Sequence, residues 1–253
     1  MQRILTAAGI ALFLAGDAAG ERPDAFRILK RVVKARKDVR TIQAEVNIHV
    51  VTDDDVRRFS GEYFADQAGR VRINFSAPAR QAVIINEQGF HWLFQREKLT
   101  IVFKQKDMQT SHSKMHGISG HFAARLEQRR RGQISYDRRI HKLPWLALHQ
   151  IKIIPDKRST YHDRGVMYVR VHPERNVVRS FLIVNRSGRV IYSQSYFRHR
   201  NGIPRHIRTL IRRDDGTVLI NNSYYRKFRT NTRLPDGLFV PPADYRRRVI
   251  AIP

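Results

Sequence analysis

Between Phe59 and Phe94 the chain reads as short apolar-polar blocks separated by turn residues: Phe59–Ala65, Arg70–Phe75, Gln81–Ile85 and Gly89–Phe94. In the second block Val71, Ile73 and Phe75 fall on one face, and Arg70, Arg72 and Asn74 on the other. A period of two marks a half-buried antiparallel strand, apolar inside and polar outside. The longest such signal is Thr41–Val51, where Ile42, Ala44, Val46, Ile48 and Val50 alternate with Gln43, Glu45, Asn47 and His49. Weaker signals follow at Leu99–Phe103, Ile151–Ile154, Val166–Val171, Ser180–Asn185, Val190–Phe197, Ile203–Ile211 and Val218–Phe228. Asn185-Arg-Ser-Gly188, Asn201-Gly202 and Asp214-Asp-Gly216 supply turn chemistry between them. The pattern predicts about ten strands.

Helical spacing occurs at 21–38, where Phe26, Leu29, Val32 and Val33 share a face among basic residues, and Pro23 and Asp24 suit a first turn. From Gln105 to Gln133 the pattern breaks, which predicts a loop with a short helix around His121–Arg131. Leu143–Leu148 is an apolar patch whose spacing also fits a helix after Pro144. The fold class predicted is mainly β with helices (α+β): one large curved antiparallel sheet, in a single domain over residues 21–253.

The first twenty residues have the form of a secretory signal peptide. Met1-Gln2-Arg3 is a basic start, Ile4–Leu14 an apolar run, and Ala18, Ala19 and Gly20 offer a cleavage site. The run is short for a membrane span, so the expected product is soluble and periplasmic. The chain has no cysteine. That excludes a disulfide framework, a cysteine nucleophile, thiolate metal sites and lipidation on cysteine, and it does not conflict with export.

The formal charge is +26, from 48 Lys+Arg against 22 Asp+Glu. Such a field attracts polyanions. In the cytosol the polyanion would be nucleic acid. For an exported chain the candidates are anionic lipid head groups, lipopolysaccharide or acidic glycans, and no nucleic acid is expected.

The ordered segments together resemble the LolA periplasmic lipoprotein carriers. The resemblance rests on the amphipathic helix and the strand Thr41-Ile-Gln-Ala-Glu-Val46. It continues through Gly61-Glu-Tyr-Phe64, Arg70-Val-Arg-Ile-Asn-Phe75 and Pro78. Gly89-Phe-His-Trp-Leu-Phe94 and the closing Leu238-Phe-Val-Pro-Pro242 complete it. It implies an incomplete β-barrel with helices covering its concave face. It also implies a hydrophobic cavity for the acyl chains of a lipoprotein or other lipid, no catalysis and no cofactor. Its partners would be an anionic membrane surface and inner- and outer-membrane transport proteins. Where the carriers place an arginine at the cavity rim, this sequence has Gln67. A regulatory interaction protein of the same fold, of the RseB type, is the alternative. A polyanion binder is the reading if the first twenty residues are not a signal.

Alternation nominates the cavity residues: Ile42, Val46, Ile48, Val71, Ile73, Phe75, Phe90, Trp92 and Phe94. A register error of one residue would exchange this set for the opposite face. No Gly-x-Ser-x-Gly elbow, phosphate loop or His-Glu-x-x-His motif is present. His112 and His116 lie one helical turn apart, with His121 nearby, but no acidic ligand lies between them and Lys114 repels a cation, so no metal is expected. His141 and His149 read as cover for the Trp145 patch. Arg129–Arg131 and Arg246–Arg248 have two readings: phosphate clamps, or solvated runs at a helix end and a frayed terminus.

Overall fold

The alternating blocks pair into one continuous sheet. The computed structural model describes residues 23–53, 55–104, 134–143, 146–154 and 165–251. The signal-like segment 1–20, His112, His116, His121, the helix expected at His121–Arg131, and Trp145 lie outside the described residues.

The first six strands form a meander: β1 (Thr41–Val51), β2 (Val56–Asp66), β3 (Val71–Ala77), β4 (Gln81–Asn86), β5 (Gly89–Phe94) and β6 (Leu99–Lys104). A second meander comprises β7 (Ile134–Leu143), β8 (Leu146–Ile153), β9 (Val166–His172), β10 (Val177–Val184), β11 (Val190–Phe197), β12 (His206–Arg212) and β13 (Val218–Thr230). The strand order is β14-β6-β5-β4-β3-β2-β1-β13-β12-β11-β10-β9-β8-β7, where β14 is Arg246–Ala251. The meanders join along an antiparallel seam of β1 with β13, from Ile42↔Thr230 to Val51↔Ile220. The sheet is open, with edges at β14 and β7, and β14 lies parallel to β6.

One helix is present among the described residues, α1 (Ala25–Lys34). The Asp24 side chain caps it by accepting from the Phe26 amide at 2.8 Å. Arg31 and Lys34 stand where the last carbonyls favour positive charge. Ala25, Ile28, Leu29 and Val32 pack on Ile151, Val169, Phe181, Tyr196 and Ile207 of β8–β12. The helix therefore covers the second meander's half of the sheet. Of the several covering helices implied by the resemblance, the described residues contain this one.

Three expectations need correction. The Leu143–Leu148 patch is not helical: Leu143 ends β7 and Leu146 begins β8. Arg246–Arg248 are neither a frayed terminus nor a loop, because their backbone pairs with Leu99–Ile101. Among the described residues the sheet has fourteen strands, not about ten. One addition, β7, was hidden by bulges at Tyr136/Arg138 and His141/Leu143 that break its period.

The opposite face of the first meander is also covered. After β13 the chain crosses it, burying Phe239 against Phe64, Ala82, Ile84 and Leu93, with Leu234, Leu238 and Tyr245 alongside. Arg72 Nη1 donates to the Leu238 carbonyl at 2.8 Å and Asn86 Nδ2 to that of Phe239 at 2.9 Å. The Arg70 guanidinium stands 5.0 Å over the Phe239 ring. β4 is thus covered on both faces, which explains its unbroken run Ala82-Val-Ile-Ile85.

Candidate binding face

Register places side chains of the first meander in rows across the sheet. One row is Tyr63–Ile73–Val83–Trp92–Ile101. On one side of it runs Ala65–Val71–Ile85–Phe90–Phe103, and on the other Gly61–Phe75–Gln81–Phe94–Leu99. β1 continues the face with Ile42, Val46 and Ile48. Ala44 lies opposite Tyr63, where its short side chain leaves room for that ring.

Eight of the nine nominated residues fall in one apolar cluster: Ile42, Val46, Ile48, Val71, Ile73, Phe75, Phe90 and Trp92. The ninth, Phe94, stacks on Trp92 with centroids 5.6 Å apart. The cluster has a closed base and an open rim. Val46 and Val71 are each 1% exposed, whereas Ile73, Phe75, Phe90, Trp92 and Phe94 are only partly buried. Phe59 joins the rim against Phe75 at 5.7 Å. Trp92 Nε1 donates to Gln81 Oε1 at 3.0 Å, which orients the indole along the face.

Other members were not nominated. Val83 and Ile85 belong to the β4 run, where no alternation distinguishes the faces. Tyr225 packs against this cluster and against the α1 cluster, so the two apolar groups meet on the inside of the curved sheet. Its ring meets Tyr63 edge-on at 5.1 Å, and burial pushes both phenols up from their ordinary range. Ile203 comes from the hairpin between β11 and β12, not from a strand, and is fully buried in the cluster. That hairpin rests against the end of α1. A methyl group at Gly202 would stand 3.4 Å from the Arg36 side chain. Burial lowers Arg36 to about 10, so it remains charged at neutral pH.

Gln67 is exposed in the β2–β3 turn, with its amide donating to the Arg40 carbonyl at 2.8 Å. His149 meets the Tyr136 hydroxyl at 3.3 Å. Among the described residues, no group of three or more His, Asp or Glu is arranged to hold a metal ion. No described helix is long and apolar enough to cross a membrane.

Several histidines are held neutral by burial. His199 falls from 6.5 to about 4, through burial first and then the neighbouring Arg36 and Arg179 charges. His91 is lowered by burial and by Arg247. The unfolded chain takes up these protons near pH 6.5 and the folded chain only below that, so acid favours unfolding. Stability should be complete above pH 6.5 and decline between 6.5 and about 4. Thermal melts across that interval should show the decline, and His199→Gln should reduce it. A melting temperature unchanged between pH 7 and 4.5 would contradict this.

No family model and no curated protein sequence matches this chain. Solved structures do. A domain described as that of an outer membrane lipoprotein-sorting protein from Vibrio parahaemolyticus superposes with a TM-score of 0.63 at 10% identity, covering 85% of this chain and 96% of that one. A DUF1329 family protein from Desulfovibrio piger gives 0.59 at 13%, covering 86% and 98%. A LolA superfamily protein from Nitrosomonas europaea gives 0.57 at 15%, also covering 86% and 98%. At these identities the likeness is one of architecture: the chain has a LolA-like fold, mostly β, with one large curved open sheet.

Proposed function

We propose that this chain binds acyl chains, of a lipid or a lipoprotein, on the face of β1–β5 and carries them through the periplasm toward the outer membrane without catalysis. The observation that supports it is the apolar cluster with a buried base and a half-exposed rim of Ile73, Phe75, Phe90, Trp92 and Phe94. It lies on the half of the sheet that α1 does not cover. The likeness in fold to a lipoprotein-sorting protein domain points the same way. A contiguous apolar face on a protein surface marks a binding site. Each methylene moved from water onto it contributes about 0.8 kcal/mol, so one acyl chain suffices for useful affinity. A partly open site also lets the cargo leave sideways to a receptor. The charge of +26 would draw the protein to anionic membrane surfaces, and membrane transport proteins are the expected donors and acceptors.

The test is titration with a fluorescent fatty-acyl probe, together with mass spectrometry of what co-purifies from the native envelope. Saturable uptake at micromolar protein, with a change in Trp92 emission, is expected. No saturable uptake and no co-purifying lipid would replace the carrier by a protein-docking role for the same face.

A further inference from the structure

A second site lies where β11 ends and β12 begins, against the middle of β13 and beside the hairpin that joins β11 to β12. It is a pocket of about 450 Å³ lined by Arg198, His199, Arg200, Arg205, His206, Tyr224, Tyr225 and Arg226. Among the described residues no carboxylate is in that lining. Among the described residues none of the four guanidiniums is ion-paired: the nearby Glu45, which lies opposite Arg226 across β1–β13, pairs with Lys227 at 2.7 Å. Four like charges brought together repel one another, so a surface that gathers them is disfavoured unless something offsets the repulsion.

The backbone that gathers them is built, not frayed. The Asn201-Gly202 turn has both residues at positive φ, 49° and 74°, which sharply reverses the chain. Arg200 and Ile203 exchange hydrogen bonds at 2.9 Å in each direction, and Ile203 anchors the tip in the apolar cluster. Arg198 itself is held at φ 51°, a conformation that costs a non-glycine residue energy. On β13 the register shifts opposite Gln43/Glu45 and Lys227 takes φ 44°, a bulge that re-aims the strand next to Arg226. Two lining rings are stacked, His206 on Tyr224 at 4.4 Å, and Phe197 stacks on His206 at 5.0 Å. His206 Nε2 also lies 3.4 Å from Asn222 Oδ1.

We propose that this pocket binds a phosphate ester, its phosphoryl oxygens taken by Arg198, Arg200, Arg205 and Arg226. Guanidinium forks match phosphate oxygens in pairs and do so better than point charges. A carboxylate would leave most of the four uncompensated, whereas a phosphomonoester brings nearly two charges and three oxygens. The pocket is larger than a phosphate group alone, which leaves room for the alcohol it esterifies. Two sources share this chemistry: the head group of a membrane lipid and a soluble phosphate. Phosphate binding here does not require that the apolar face bind acyl chains, and its test does not use an acyl probe.

The experiment compares wild type with Arg200→Gln/Arg226→Gln, two exposed positions in the pocket. The control is Arg186→Gln/Arg213→Gln, which removes the same charge from exposed turns at the far ends of these strands. Inorganic phosphate is titrated while the imidazole resonances of His199 and His206 are followed. Phosphatidylcholine vesicles containing phosphatidic acid are titrated separately. Circular dichroism verifies folding. Saturable shifts of the His206 signals are expected in wild type and control, with affinity about tenfold or more weaker in the pocket variant. If vesicle binding also falls in the pocket variant and not in the control, the source is a lipid head group. If vesicle binding falls equally in both while the phosphate effect persists, the source is a soluble ester. Equal losses in both variants in both titrations, or no saturable shift at His206, would overturn the proposal and leave the arginines as general surface charge.

Discussion

Ile73→Glu should abolish uptake of an acyl probe while the protein stays folded. Ile73 stands in the middle row of the face, between Tyr63 on β2 and Val83 on β4, and is only partly buried. Without ligand a glutamate there can turn its carboxylate to water. Under an acyl chain it cannot, and an unpaired buried charge costs several kcal/mol. Phe75→Ala separates site from scaffold in the same way. A core phenylalanine such as Phe181, 2% exposed, should cost about 3–5 kcal/mol on truncation to alanine. Phe75 sits at the open rim, so its loss should cost clearly less in stability and show mainly as weaker probe binding. Chemical denaturation and probe titration, run on all three variants, supply the measurements. If Ile73→Glu binds the probe as wild type does, the acyl site is not on this face.

Gly61→Ala should destabilise the protein by about 3 kcal/mol or more, because the new atom meets backbone and not a movable side chain. A methyl carbon at 61 would lie 2.0 Å from the Asn74 carbonyl oxygen and 2.9 Å from the Phe75 Cα. β2 and β3 would have to separate at the bulge between Ser60 and Gly61, which would also displace Phe75 from the rim. Gly69→Ala is the control. Gly69 has φ 87° but nothing within 4 Å of the added atom, so its cost should be only the roughly 1–2 kcal/mol of the left-handed backbone. Equal denaturation midpoints for the two variants would contradict this reading of Gly61.

Much of the sheet was legible because burial on one face writes a period of two into the chain. Thr41–Val51 and Arg70–Phe75 are strands for that reason, and their inward residues do share one cluster. Legibility failed where another constraint overrode the period. In β4 both faces are covered, so Val83 could not be assigned a side. In β7 two bulges slip the alternation, and the neighbouring apolar patch mimics a helix. β14 is an edge strand whose partner lies about 150 residues earlier in the chain, and nothing local in Arg-Arg-Arg-Val-Ile-Ala announces a parallel pairing. The basic pocket left no trace in the sequence at all. With 48 Lys+Arg in the chain, four arginines become a group only when a hairpin and a bulge bring them to one place.

The two strands that border the first meander carry a consequence for how the chain matures. β1 on one side is sealed by β13 and β6 on the other by β14, both supplied by the last 36 residues. During synthesis the six-stranded meander is complete long before either seal exists. Throughout that interval it presents two unpaired edges and an uncovered apolar surface, the condition under which sheets stick to one another. The seam must also close a loop spanning most of the chain: the Arg40 amide donates to Asn231, 191 residues away. Contacts so distant in sequence make folding slow. The nascent protein is therefore a natural client for a holding chaperone until its final strands arrive, and a truncation that spares the whole first meander but removes β13 and β14 should yield aggregate, not a smaller domain.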